Sequence, residues 1–181
     1  MEIEALEIAG FVSAFKALRL SYGLSPRSRV SSSMDVQGSK LHSDWDALFN
    51  DKDVTLLSTL VRRGDEHAKV CRGIVVWMKI TAPVYFWAEL ETYRAGHERL
   101  MSESTMHIDC KGLVGEELQK AKAKIPMGKE LTKIDFFSYQ ALRNIYRQRR
   151  HHRLPEWQRF CDWIEMLPFA SKFITIGLDK K

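Results

Sequence analysis

The chain has 181 residues, a length typical of one domain, and 45% of them are apolar while 28% are charged. This composition excludes wholesale disorder, and no apolar run approaches the roughly 18 residues of a membrane-spanning helix. The first ten residues are acidic where a secretory signal peptide is basic, and the three cysteines form no CxxC pair. We therefore expect a single domain over 1–181 that is cytoplasmic and does not associate with membranes.

The net charge of +5 is distributed unevenly along the chain. Residues 111–153 contain eleven Lys and Arg but only four Asp and Glu. A basic segment in a nearly neutral body indicates an anionic partner such as a nucleotide phosphate or a nucleic acid. An ordinary solvated helix face would produce the same composition, so both interpretations stay open.

In the first part of the chain, apolar spacing predicts a short strand at 2–9 and then a helix that carries Phe11, Phe15 and Leu18. Residues 21–43 are rich in Ser and Gly and are predicted to form a mobile loop. Asp53 then begins a helix that Gly64 ends.

In the second part, β-branched residues predict a strand from Ile74 to Ile80, and a helix of period 3.6 follows it as far as Tyr93. Residues 95–115 show no regular period. Three further helices are predicted at 116–124, at 136–150 and at 155–166, the last with Pro155 in its first turn. Few strands and several helices indicate a mixed α/β fold with a small sheet flanked by helices.

Several common active-site motifs are absent from the sequence. It contains no GxxxxGK[ST], GxGxxG, GxSxG or HExxH pattern, so nothing favours P-loop, Rossmann, hydrolase-elbow or zincin chemistry. His107, Asp109 and Cys110 lie close together, but no further ligand is spaced to complete a tetrahedral site. No metal site is expected.

The segment PVYFWAELETYRAGHERLMSESTMH carries the strongest candidate for a binding site. Arg94 follows a helix anchored by aromatic residues, and Ser104 comes ten positions later. A guanidinium and a serine hydroxyl both donate to phosphate oxygens, so we expect these two side chains to converge on one anionic group. The alternative is an ordinary polar loop in which Arg94 pairs with Glu91 or Glu98.

The spacing in this segment resembles the signature of a known family. Arg94, Ala95 and Gly96, followed after seven residues by Ser104, are similar in register to the Arg-His-Arg, seven residues, Ser pattern of flavin-dependent thymidylate synthases. The chain is therefore identified as a divergent relative of that family with a degenerate signature.

Other elements resemble the same family in the same order. ALRLSYG at 17–23 is similar to its AARxSYG element, and His67 lies where the family has a histidine of HxSPFEH. SYQALRNIYRQR is similar to the helix N-x-R-x-x-x-[NH]-x-x-x-x-R, which Asn144 and Arg149 match, and Trp157 matches the aromatic residue that follows it.

The resemblance implies a homotetramer that binds FAD and deoxyuridine monophosphate (dUMP), uses methylenetetrahydrofolate and NADPH, and transfers one carbon to C5 of the pyrimidine. It implies that Arg94 and Ser104 contact nucleotide or flavin phosphate. His67 and Asn144 would contact the flavin, and Arg149 would hold the pyrimidine ring. Ser104 and Arg149 are thus the catalytic candidates.

The chain also departs from the family pattern at six positions. In the triplet, Ala95 and Gly96 stand where the family has His and Arg, and Glu91 stands three residues before the triplet where the family has Gln. Ser102 and Met106 stand where the family has a Glu before and an Arg after the serine. Gln140 stands where the family has an Arg in the late helix. Several of these changes remove charged donors to phosphate, each of which contributes about 1.5–3 kcal/mol. We therefore expect weakened FAD binding and an altered or lost parent activity.

Three functions remain open from the sequence. The first is the parent enzyme or a variant of it, and the second is a pyrimidine-nucleotide sensor without turnover. The third is a non-catalytic protein that binds nucleic acid or another protein through a basic helix, on which Arg143, Arg147 and Arg150 share one face near Arg149 and Arg153. Tyr139 and Tyr146 could stack on bases there, although tyrosines at this spacing are more often in the core.

Overall fold

The computed structural model describes residues 1–20, 23 and 49–178. The predicted mobile loop at 21–43 lies outside the described residues except for Gly23, and so does most of the SYG part of the 17–23 element. Among the residues described, no helix combines the length and the hydropathy that crossing a bilayer requires.

The centre of the fold is a four-stranded antiparallel sheet with the spatial order β1-β2-β4-β3. The strands are β1 (Glu2–Ala9), β2 (Val75–Pro83), β3 (His97–Ser102) and β4 (Glu130–Ser138). Trp77 of β2 lies opposite Phe136 of β4, which fixes the register of the two central strands. In the described part of the chain, β3 pairs with β4 alone and is an edge strand.

Helices precede, connect and follow these strands. They are α1 (Phe11–Leu20), α2 (Asp51–Arg63), the 3-10 helix Lys69–Arg72, α3 (Val84–Leu90), α4 (Thr105–Ile108), α5 (Gly115–Ala123), α6 (Tyr139–Arg149), α7 (Pro155–Glu165) and α8 (Ala170–Phe173). The prediction of a mixed α/β fold with a small sheet flanked by helices is confirmed.

One face of the sheet is buried under the helices. Alternate residues of β2, including Val76, Met78 and Ile80, are inaccessible to solvent, while Lys79 on the opposite face is exposed. This alternation follows from the two-residue repeat of a strand. The indole of Trp87 in α3 donates to the carbonyls of Ala82 and Leu131, so a large apolar side chain is buried with its one polar group satisfied.

One sequence prediction in the second half of the chain is wrong, and two strands there are not predicted. The helix predicted at 136–150 begins at Tyr139, because residues 130–138 form β4, and the irregular region at 95–115 contains β3. The apolar pattern does not predict β4, because the buried face of this strand carries Lys133 and Asp135 before Phe137. Charged residues at core positions hide the period-two pattern.

Candidate functional site

A cleft of about 490 Å³ lies where β4 leads into α6. Seven of the described residues line it: Arg72 from the 3-10 helix, Ala95 and Gly96 from the turn before β3, Phe136 and Ser138 from β4, and Gln140 and Asn144 from α6. The cleft therefore joins four positions of the sequence signature (95, 96, 140 and 144) to an arginine and a phenylalanine that the sequence reasoning did not single out.

The wall of the cleft depends on a close approach between the backbone of Gly96 and the side chain of Ser138. The amide of Ser138 donates to the carbonyl of Gly96 over 2.7 Å, and Ser138 Oγ accepts from the amide of Ala141 over 3.1 Å as the N-cap of α6. Gly96 has φ = 75°, and a Cβ built on it would clash with Ser138 Oγ. A side chain at position 96 would therefore require a strained backbone and would displace the Ser138 hydroxyl from the N-cap of α6.

Arg72 is the charged residue of the described cleft lining. Its Nε donates to Gln140 Oε1 over 2.6 Å, which orients the guanidinium beside α6. Arg72 is exposed, and the buried Cys71 next to it anchors the 3-10 helix. The sequence gives no spacing signal for this arginine, because it reaches the cleft from a segment 68 positions before Gln140.

Arg94 and Ser104 do not converge within one chain, contrary to the expectation from the sequence. Arg94 precedes β3 and Ser104 follows it, so the whole strand separates them. A strand rises about 3.3 Å per residue, which places roughly 17 Å between the two ends of β3. Arg94 is exposed, and Ser104 is the N-cap residue of α4 without a side-chain capping bond.

Glu91 faces cations of the protein itself. Its carboxylate accepts from Arg99 and, over 2.9 Å, from Lys133, whose Nζ lies 4.5 Å from the centre of the Trp87 ring. Burial alone would raise the pKa of Glu91, but the hydrogen bonds from Lys133 and Arg99 outweigh it and hold this pKa below its ordinary value. Burial lowers the pKa of Lys133 despite its bond to Glu91. The Glu91 carboxylate therefore pairs with Arg99 and Lys133 and not with Arg94.

A buried pair of ionisable side chains, His97 and Asp135, ties the edge strand to the sheet. His97 Nε2 lies 2.8 Å from Asp135 Oδ2, and Nδ1 lies 2.9 Å from the carbonyl of Tyr93. The imidazole stacks on Phe137 with a centroid distance of 4.2 Å. Sequence reasoning missed this pair because β3 and β4 were not recognised as strands.

Arg149 is held in a cage between α3, α6 and α7. Its Nη1 donates to Glu89 Oε2 over 2.8 Å and its Nε donates to the hydroxyl of Tyr93 over 2.7 Å. The guanidinium carbon lies 4.6 Å from the centre of the Trp157 ring, and the Trp157 indole donates to the same Glu89 oxygen. The predicted catalytic residue thus makes contacts that join three helices, and it does not line the cleft.

The two residues predicted to contact the flavin lie in different surroundings. Asn144 lines the cleft, and its Oδ1 accepts from Arg147 over 3.4 Å. His67 is half exposed beside Glu66, with 3.6 Å between His67 Nε2 and Glu66 Oε1, and it does not line the cleft. The structure therefore brings only Asn144 of this pair to the cleft.

The basic helix does not present a continuous cationic face. Arg143 is 12% exposed and donates to the carbonyls of Ile174 and Ile176, while Arg150 pairs with Asp162 and Glu165. Arg147 and Arg153 are exposed. The two tyrosines proposed for base stacking, Tyr139 and Tyr146, are buried in the core.

The chain is similar to known proteins in its structure and not detectably in its sequence. No protein-family model matches the chain, and no curated protein matches it by sequence. Two structures of flavin-dependent thymidylate synthase ThyX from Helicobacter pylori with FAD and dUMP are similar to it. One has a TM-score of 0.70 at 13% identity and covers 99% of this chain and all of that chain, and the other has 0.69 at 12% and covers both chains completely.

A third similar structure is the UMP/dUMP methylase PolB from Streptomyces cacaoi with 5-Br dUMP bound. Its TM-score is 0.60 at 11% identity, over 92% of this chain and 91% of that chain. The resemblance inferred from the sequence is confirmed as a similarity of fold: the chain has the fold of the flavin-dependent thymidylate synthases, at the low identity expected of a divergent relative.

Proposed function

We propose that this protein binds a pyrimidine nucleoside monophosphate of the dUMP class in the cleft and transfers one carbon to C5 of its base, acting in the cytoplasm. The observation that carries the proposal is the cleft itself, which combines four signature positions with an aromatic wall in a fold shared with two dUMP-binding proteins. The half-buried ring of Phe136 offers a surface on which a planar base can pack.

The residues of the cleft fit a mononucleotide better than FAD. A volume of about 490 Å³ lies within the range of small-ligand sites, which runs from about 300 to 1,000 Å³. FAD carries a diphosphate, whereas one guanidinium, that of Arg72, faces the cleft in the described part of the chain. A flavin site would need further groups from outside this cleft, so we assign the cleft to the nucleotide.

Calorimetric titration with dUMP tests the proposal. We expect saturable binding that weakens about 2- to 10-fold in Asn144→Leu, because the carboxamide of Asn144 lines the cleft and one hydrogen bond contributes about 0.5–1.5 kcal/mol. Gln158→Leu removes the same group from an exposed position on α7 and serves as the control. Wild-type protein that does not bind dUMP, or equal affinity in both variants, would contradict the assignment.

A nucleotide sensor without turnover is the second candidate, and the small residues Ala95 and Gly96 favour it. They open the cleft but supply no charged group to hold a cofactor phosphate. Product formation separates the two functions. An enzyme converts dUMP when FAD, methylenetetrahydrofolate and NADPH are supplied, and a sensor binds dUMP and leaves it unchanged.

We propose that a second copy of the chain covers the edge strand. Leu100 and Met101 of β3 are 51% and 70% exposed, and four apolar side chains from the segment between β3 and β4 are also exposed: Met106, Ile108, Val114 and Met127. Exposed apolar side chains on a strand whose outer edge is unpaired among the described residues are typical of an interface. An anion that contacts both Arg94 and Ser104 would have to lie between two chains, since β3 holds them apart.

Light scattering during size-exclusion chromatography tests this assembly. We expect an oligomer for the wild-type protein and a smaller particle for Met101→Lys, because a charge in an apolar interface is costly to bury. Met166→Lys changes a methionine of similar exposure at the end of α7 and is expected to leave the mass unchanged. A monomeric wild-type protein would rule the assembly out.

A further inference from the structure

The two carboxamide side chains that line the cleft share one property: each oxygen accepts a hydrogen bond from an arginine. Gln140 Oε1 accepts from Arg72 Nε, and Asn144 Oδ1 accepts from Arg147 Nη2. Arginine has no acceptor, so the oxygen of each carboxamide must be the atom that faces it. The NH₂ groups of Gln140 and Asn144 make no hydrogen bond with the described residues, so both remain available to donate to a ligand.

Arg72 adds charge to this set of donors. Its Nη1 and Nη2 make no hydrogen bond or ion pair with the described residues, so four N–H groups remain beside the one bonded to Gln140. No carboxylate belongs to the described lining. Ser138 Oγ also accepts, from the Ala141 amide, and its own proton remains to be donated.

A site that offers donors and one positive charge selects a ligand group that only accepts hydrogen bonds. We propose that Arg72, Gln140 and Asn144 form an oxyanion subsite that binds the phosphate of the nucleotide, an inference that rests on the proposed function. The fork of the guanidinium matches two phosphate oxygens, and its Nε bond to Gln140 orients it before the ligand arrives. The apolar wall of Phe136, Ala95 and Gly96 then receives the rest of the ligand.

This subsite lies where β4 leads into α6 and uses neither Arg94 nor Ser104. The guanidinium comes from the 3-10 helix and lies against the position of α6 where the family has an arginine and this chain has Gln140. Arg72 of the 3-10 helix thus supplies a positive charge where the arginine of α6 is missing, and the carboxamide of Gln140 orients its guanidinium.

Titrations with dUMP, deoxyuridine and inorganic phosphate at constant ionic strength test the subsite. We expect dUMP to bind more tightly than deoxyuridine and inorganic phosphate to compete with it. Arg72→Gln is expected to weaken dUMP binding about 10- to 100-fold, the range for losing a charged hydrogen bond, and to leave deoxyuridine binding unchanged. Lys69→Gln removes an equal charge from the same 3-10 helix outside the cleft and is expected to bind dUMP like the wild type.

A second variant, Gln140→Glu, tests the same point without removing Arg72. Its carboxylate would pair with the guanidinium and repel phosphate, so dUMP binding should fall as in Arg72→Gln, with folding verified by circular dichroism. Equal dUMP affinity in wild type and Arg72→Gln would overturn the subsite and leave the proposed function standing. Phosphate binding through Arg72 without tighter binding of dUMP would support the subsite and contradict the nucleotide assignment, and a wild-type protein that binds neither probe would overturn both.

Discussion

Replacing Asp135 with alanine is expected to lower the free energy of unfolding by about 1–3 kcal/mol, the usual cost of leaving a buried hydrogen-bonding group without its partner. Asp135 is fully buried, and its Oδ2 faces His97 Nε2. Without the carboxylate, His97 loses its buried partner and Arg99 loses the charge 3.7 Å from its Nε. The turn before β3 forms one wall of the cleft, so dUMP binding should fall as well.

Urea unfolding measures this effect, and Asp162→Ala is the matched control. Asp162 is 63% exposed and pairs with Arg150 on the surface, where an ion pair contributes about 0–1 kcal/mol. A loss of stability in Asp135→Ala no larger than that in the control would show that the His97–Asp135 pair does not hold the edge strand.

Placing the family's arginine at position 96 is expected to destabilise this protein by about 2–3 kcal/mol. A side chain at φ = 75° costs about 1–2 kcal/mol, and its Cβ would displace Ser138 Oγ from the N-cap of α6, which costs about 1 kcal/mol more. Gly96→Arg should therefore fail to gain FAD binding, because the close packing of Gly96 against Ser138 leaves no room for the arginine side chain in the folded protein.

The neighbouring substitution Ala95→Arg provides the comparison for this prediction. Ala95 is exposed and has no positive φ, so an arginine there is expected to change stability by less than about 0.5 kcal/mol. Urea unfolding and FAD titration of both variants give the answer. A Gly96→Arg protein as stable as the wild type would contradict the account of the close approach to Ser138.

The elements that sequence patterns predict well are those whose apolar residues repeat without interruption. Helix α7 begins at Pro155 as expected, and β2 follows the run of β-branched residues. Strand β4 is not predicted, and its last three residues fall in the helix predicted at 136–150, because Lys133 and Asp135 occupy buried positions of its core face. Their partners, Glu91 and His97, come from segments about 40 residues away. The spacing of residues within one segment cannot predict a contact between segments so far apart in the sequence.

The candidate site was predictable only in part, for a related reason. The signature spacing identified positions 95, 96, 140 and 144, which the fold brings to one cleft. It gave no indication of Arg72, which reaches the cleft through a tertiary contact. Nor could it show that β3 separates Arg94 from Ser104 or that Arg149 is engaged by Glu89, because both facts depend on the packing of several elements.

A crystal structure of this protein with dUMP bound tests the central claim most directly. The account predicts the nucleotide in the cleft, with the base against Phe136 and phosphate oxygens within hydrogen-bond distance of the Arg72 guanidinium and the carboxamides of Gln140 and Asn144. A nucleotide held elsewhere, with its phosphate on Arg94 or Ser104 and an empty cleft, would contradict it.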